Sequence, residues 1–167
     1  VTAADWREFG GSVPQGLAPA ANLPTIWSAD KNVLWKTPLE GKGWSSPVLH
    51  EGKLYLTAAV GASDEPTAAQ TLRALSVDAA TGKVLWQTDL FQQPEGQKIH
   101  SKNSHASPSP ITDGEHLWVH FGTHGTACLT LTGDVVWKTN EFKYVPVHGN
   151  GGSPVLVDGR LIFSCDG

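Results

Sequence analysis

The chain has 167 residues, 40% of them hydrophobic and 17% charged, with 18 Gly, 11 Pro and 7 Trp. The length suggests about one domain, and abundant turn formers between short apolar runs point to an all-β protein rather than a helical one. A net charge of −4 and a pI near 5.9, with no cluster of Lys or Arg, argue against nucleic acid as a partner, because binding it takes an array of cations; nor does any apolar run approach the ~20 residues of a membrane-spanning helix.

Residues 1–25 read as an N-terminal arm, rich in Ala, Gly and Pro, in which Trp6 and Phe9 of the DWREFGG stretch are expected to dock on the body. The chain begins at Val1 rather than Met, which fits a removed signal peptide and equally a boundary of another origin. Ile26–Leu39 is the first strand-like segment and contains DKNVLWKT. That stretch returns as TGKVLWQT at Thr81–Thr88 and as TGDVVWKT at Thr132–Thr139, so that Trp35, Trp86 and Trp137 recur at a constant interval of 51 residues. A recurrence of this period marks a repeat architecture.

A second unit recurs beside it: SPVLHEGKLYL from Ser46, SPITDGEHLWV from Ser109 and SPVLVDGRLIF from Ser153. Each reads as strand, turn, strand, with Asp and Gly supplying the left-handed backbone that tight turns need. One full unit, residues 45–89, then has strands at Ser46–His50, Lys53–Ala59, Leu72–Asp78 and Lys83–Asp89. The next, residues 106–140, has them at Ser109–Thr112, His116–Gly122, Thr126–Leu131 and Asp134–Asn140. Residues 152–167 supply only the first two strands of a third. Near-continuous apolar runs such as Leu117–Val119 and Val135–Trp137 imply sheets covered on both faces. Repeated four-stranded antiparallel sheets packed in this way make a β-propeller.

LSVDAATGKVLW at Leu75–Trp86 closely resembles the blade motif of the pyrroloquinoline-quinone-type propeller repeats, and the resemblance covers nearly all of Trp27–Gly167. It implies that Gly82 and Gly133 make turns and that Trp35, Trp86 and Trp137 dock on adjacent blades. KNSHASPSPITDG and HGNGGSPVLVDG resemble a secreted or periplasmic bacterial branch, similar to the outer-membrane assembly lipoprotein of the β-barrel machinery. Members typically have about eight blades, and closed propellers have about four to eight, against roughly three here. Residues 26–39 are therefore expected to be a ring-closing strand, the chain to be the N-terminal part of a larger protein, and the missing blades to come from the rest of it or from assembly. Alone, the chain leaves blade faces and strand edges unpaired.

Strand direction puts the short turns on one end and the long loops on the other, where binding residues usually concentrate. The long loops carry Trp44, His100, Asn103, His105, Ser107, His124, His148 and Asn150, and three of them lead into the innermost strands, so these residues should rim the central channel. His50 and His116 fall at the short turns, and His120 within a strand. The rim residues are candidates for a small-ligand or glycan pocket, a protein-binding surface or a metal site, since imidazole ligates transition metals. The alternative is that they satisfy backbone groups of the loops. The spacings of His100 and His105, and of His120 and His124, match no strong metal motif, so no metal ligands are assigned. Asp64 and Glu65 read as solvated, GNGG at Gly149–Gly152 lacks the strand–loop–helix context of a phosphate cradle, and no nucleophile elbow is present. No catalytic residue is assigned.

The function expected is a non-catalytic binding or assembly platform. The alternatives are a quinoprotein dehydrogenase using pyrroloquinoline quinone with Ca²⁺, implied by resemblance alone, and another enzyme using the histidine-rich rim. Such quinoproteins carry a vicinal cysteine pair, whereas Cys128 and Cys165 are far apart and read either as two buried thiols or as one disulfide.

Overall fold

The computed structural model describes residues 5–11, 16–17, 23–61, 67–96 and 99–165. The first sheet consists of β1 (Val48–His50), β2 (Lys53–Gly61), β3 (Gln70–Asp78) and β4 (Val84–Gln93). The second consists of β5 (Ile111–Thr112), β6 (His116–His120), β7 (Thr126–Thr130) and β8 (Val135–Thr139), and a third holds β9 (Val155–Val157) and β10 (Arg160–Ile162). Each sheet is antiparallel with neighbours in chain order, the order of a propeller blade. A 3-10 turn at Gly122–His124 precedes β7.

Turn chemistry sets the register. Two-residue loops join His50 to Lys53 and Val157 to Arg160. Both central residues have positive φ, +45° and +73° at Glu51–Gly52 and +49° and +72° at Asp158–Gly159, the geometry whose twist matches paired strands.

The sheets stack through their apolar faces. Val48, Tyr55, Leu72 and Ala74 of the first meet Leu117, Val119, Ala127 and Leu129 of the second in one buried core. On the far face of the first sheet, Leu75, Val77 and Ala58 are covered by Trp35 and Val84. Two covered faces explain why β3 reads as a nearly continuous buried run.

Docking of each tryptophan on the next sheet repeats with the same contacts. Trp35 Nε1 donates to the Ala79 carbonyl at 2.9 Å and Thr37 Oγ1 to the Gly82 carbonyl at 2.5 Å. One repeat later, Trp86 Nε1 donates to Leu131 at 3.0 Å and Thr88 Oγ1 to Gly133 at 2.7 Å. Gly82 and Gly133 have φ of +73° and +94°, and a Cβ on either would stand 2.6–2.7 Å from the docked indole. Glycine is thus required twice at each turn, by backbone conformation and by the ring above it. At the start of the Ser-Pro units, Ser109 Oγ accepts from the Ser46 N–H at 2.8 Å and Ser153 Oγ from the Ser109 N–H at 3.0 Å. The serine of each Ser-Pro unit therefore links successive blades.

Residues 26–39 carry one isolated bridge, between Ser28 and Lys31, and Trp35 anchors the segment on the first sheet. Three expectations are corrected. The run Val135–Trp137, expected to be covered on both faces, is exposed, with Trp137 at 42%. No described residue accepts a hydrogen bond from its indole. Of the arm's aromatic pair, Trp6 docks and exchanges two backbone hydrogen bonds with Leu49, each 2.7 Å, while Phe9 is 64% exposed. The cysteines are neither two buried thiols nor a disulfide, for both are free, Cys128 buried and Cys165 exposed. Asp64 and Glu65 lie outside the described residues.

Candidate functional site

The loops at the β1-entry end converge. The segment after β4 lies against the segment after β8: the Asn103 amide donates to the carbonyls of His148 at 2.9 Å and Asn150 at 3.4 Å, and the His100 N–H to that of His148 at 3.3 Å. The Asn103 carboxamide oxygen accepts from the Ser104 N–H at 2.8 Å and from the Ser107 hydroxyl. Asn150 is buried on the 3-10 turn, accepting from the Thr123 N–H at 3.3 Å and donating to Phe121 at 3.4 Å. A Cβ on Gly122 would occupy the space its side chain fills. Asn103, Ser107 and Asn150 are thus committed to loop backbone and to one another, which leaves their polar groups largely satisfied.

The four rim histidines form two pairs. His100 and His148 meet edge to face with ring centres 5.5 Å apart. His105 and His124 meet edge to face at 5.0 Å, with His124 Nε2 3.2 Å from His105 Nδ1. The second pair is buried, and His105 Nε2 has no hydrogen-bond partner. Burial lowers the His105 pKa and holds His124 down to about 4, with His105 and Lys143 adding to the effect on His124. Both rings are therefore neutral near pH 7, one donating to the other. His120 is held to about 4 by burial, hydrogen-bonds Thr126 Oγ1 at 2.8 Å and lies 4.1 Å from the Phe163 ring. The hydroxyl–imidazole contact is sealed inside the second sheet, and the ring contact ties that sheet to the residue that follows β10.

Trp44 stands apart from these pairs, 63% exposed, on the wall of a cavity of about 170 Å³ that His100 and Asn103 also line. A wider depression of about 440 Å³ runs past His124, Lys143 and Tyr144. Of the eight residues expected at the rim, Asn103, His105, Ser107, His124 and Asn150 are half-buried or buried and tie the loops together, while Trp44, His100 and His148 are exposed. Sequence reasoning missed Gln70, which lines the smaller cavity and recurs in no other repeat. It also missed the serine links, whose signal was the invariant Ser before each repeat Pro.

The opposite end holds a charged cluster. Asp5 accepts from Arg7 at 2.8 and 3.1 Å and from the Glu51 N–H at 3.1 Å, and lies 2.7 Å from His50 Nδ1. These partners, Arg7 foremost and then His50, lower the Asp5 pKa to about 2. The Arg7 carbonyl accepts from the Thr112 N–H at 2.9 Å, so the arm clasps β1 to β5. This His–Asp contact serves an ion-pair cluster.

Among the described residues no three His, Cys, Asp or Glu side chains converge to hold a metal ion. The cysteines, one in β7 and one at exposed position 165, are separated. Among the described residues the donors do not converge into a set that fits a quinone–calcium centre.

The family model described as outer membrane protein assembly factor BamB matches residues 20–164. The quinohemoprotein alcohol dehydrogenase ADH IIB of Pseudomonas putida is 27% identical over 129 residues, which cover 74% of this chain and 16% of that enzyme. The chain therefore spans about a sixth of the relative's length. No helix among the described residues is long and apolar enough to cross a membrane.

Proposed function

The chain belongs to the outer membrane protein assembly factor BamB family, and on that premise we propose that it serves as a non-catalytic binding or assembly platform, secreted or periplasmic, presenting its long-loop end. The observation that carries this reading is the use made of the rim. Asn103, Asn150 and the His105–His124 pair tie three loops together, giving a fixed surface whose exposed positions, such as Trp44, His148 and Val145, face outward. A scaffold that spends its imidazoles on loop contacts suits recognition better than proton transfer, which requires a base within reach of a reacting proton.

Photo-cross-linking tests it. A benzoylphenylalanine at position 44, 145 or 148 in the native protein in its own cells should give discrete adducts. The same group at position 115 or 158, on the short-turn end, should give none. Adducts from positions 115 or 158 alone, or from no position, would refute the reading. The dehydrogenase alternative is favoured by one observation, the 27% identity to a quinohemoprotein, and is weakened by the donor set of the described residues.

A further inference from the structure

The cavity between the segment preceding β1, the start of β3 and residues 99–104 holds binding groups that the fold leaves uncommitted. It measures about 170 Å³ and is lined by Lys42, Trp44, Gln70, Ile99, His100 and Asn103. Trp44 is 63% exposed, yet its backbone is fixed. Its N–H donates to Ala106 at 3.2 Å, and Lys42 exchanges backbone hydrogen bonds of 2.9 and 2.8 Å with Ala59. Gly41 and Gly43 lie so close to the Ala59 and Thr57 carbonyls that a Cβ on either would collide. The strap is therefore seated tightly on β2, and it carries the indole on the cavity wall.

Gln70 is 7% exposed, and its Oε1 has no hydrogen-bond partner. A buried acceptor without a partner costs free energy that a bound donor would recover. His100 Nδ1 accepts from the Lys102 N–H at 3.1 Å, so the neutral ring carries its proton on Nε2, a donor with no partner among the described residues. Asn103 is engaged elsewhere, and among the described residues no carboxylate lines the cavity.

We propose that this cavity binds the ring of a pyranose sugar, an inference that rests on the reading of the long-loop end as the binding end. The apolar C–H face of the ring lies on Trp44, and ring hydroxyls accept from His100 Nε2 and, with the buried Gln70 amide turned towards the cavity, donate to its Oε1. A hydroxyl both donates and accepts, which matches one lone acceptor and one lone donor. A flat, rigid aromatic supplies contact area at small entropic cost.

The test is a titration of the full chain with methyl hexosides, a methyl N-acetylhexosaminide and a methyl hexuronide, read by saturation-transfer NMR and tryptophan fluorescence. At least one sugar should bind saturably with a Kd of the order of 1 mM. Trp44→Ala should weaken it about tenfold or more, and Trp44→Phe only a few-fold. Gln70→Leu should also weaken it while leaving the urea midpoint unchanged or higher, since it removes an unpaired buried acceptor. No saturable binding across the panel, or binding unaltered in Trp44→Ala and Gln70→Leu, would overturn the proposal. If cross-links from position 145 or 148 persist in that case, the platform reading stands without the sugar; if no position on the long-loop end gives adducts, both fall.

Discussion

Trp86 and Trp137 occupy the same position of successive repeats, yet the structure assigns them different energetic weight. Trp86 is half-buried, packs on the shared core with Tyr55 6.1 Å away, and donates to Leu131 at 3.0 Å. Trp137 is 42% exposed. Truncating a fully buried Trp to Ala costs about 3–5 kcal/mol, and a neutral hydrogen bond contributes about 0.5–1.5 kcal/mol. Partial burial places Trp86→Ala at about 3 kcal/mol, a fall in Tm of about 6–12 °C for a chain of this size. Trp86→Phe, which keeps most of the ring, should cost about 1–2 kcal/mol. Trp137→Ala should stay within about 1 kcal/mol of the parent, in the range of surface changes. Urea and thermal unfolding followed by circular dichroism would measure all three. Equal losses for Trp86→Ala and Trp137→Ala would show that the motif acts within its own strand, and the docking account would be wrong.

Three further outcomes are expected. His120 and His124 have pKa values held from 6.5 down to about 4. Since the folded state resists their protonation, the stability linked to them is complete above pH 6.5 and is lost as pH falls towards 4. Each accounts for about 3 kcal/mol at most, and replacing His124 by Gln should flatten the acid limb of a stability–pH profile. Asp5, lowered to about 2 by Arg7 and His50, contributes stability present above pH 4 and lost as pH falls towards 2. Asp5→Asn should cost about 1 kcal/mol after solvent screening and speed hydrogen exchange at the Trp6 and Leu49 amides. One thiol, Cys165, should react rapidly with Ellman's reagent, and buried Cys128, whose pKa burial raises, should react only on unfolding.

The blade register was legible because it is imposed three times over. Trp35 and Trp86, with the Ser-Pro units, mark positions where one sheet meets the next, Trp137 repeats the spacing, and the glycine beneath each docked indole is fixed by sterics. The exposed state of Val135–Trp137 was not legible, because an apolar run reports its preference for cover and not whether a neighbour is present. The rim face followed from strand direction alone. Its division into His105–His124, buried and paired, and Trp44, open, depended on loop paths that no periodicity constrains. Gln70 and the Asp5–Arg7–His50 cluster occur once each, so nothing in the sequence marks them.

The claim that this chain recognises rather than catalyses meets its most direct test in one assay. Native protein purified from its own cells is incubated with pyrroloquinoline quinone and Ca²⁺, and the quinone absorbance and alcohol-dependent dye reduction are followed. The account predicts no spectral change and no dye reduction above the protein-free control. A stoichiometric spectral shift with alcohol-dependent turnover would contradict it and establish the dehydrogenase reading in its place.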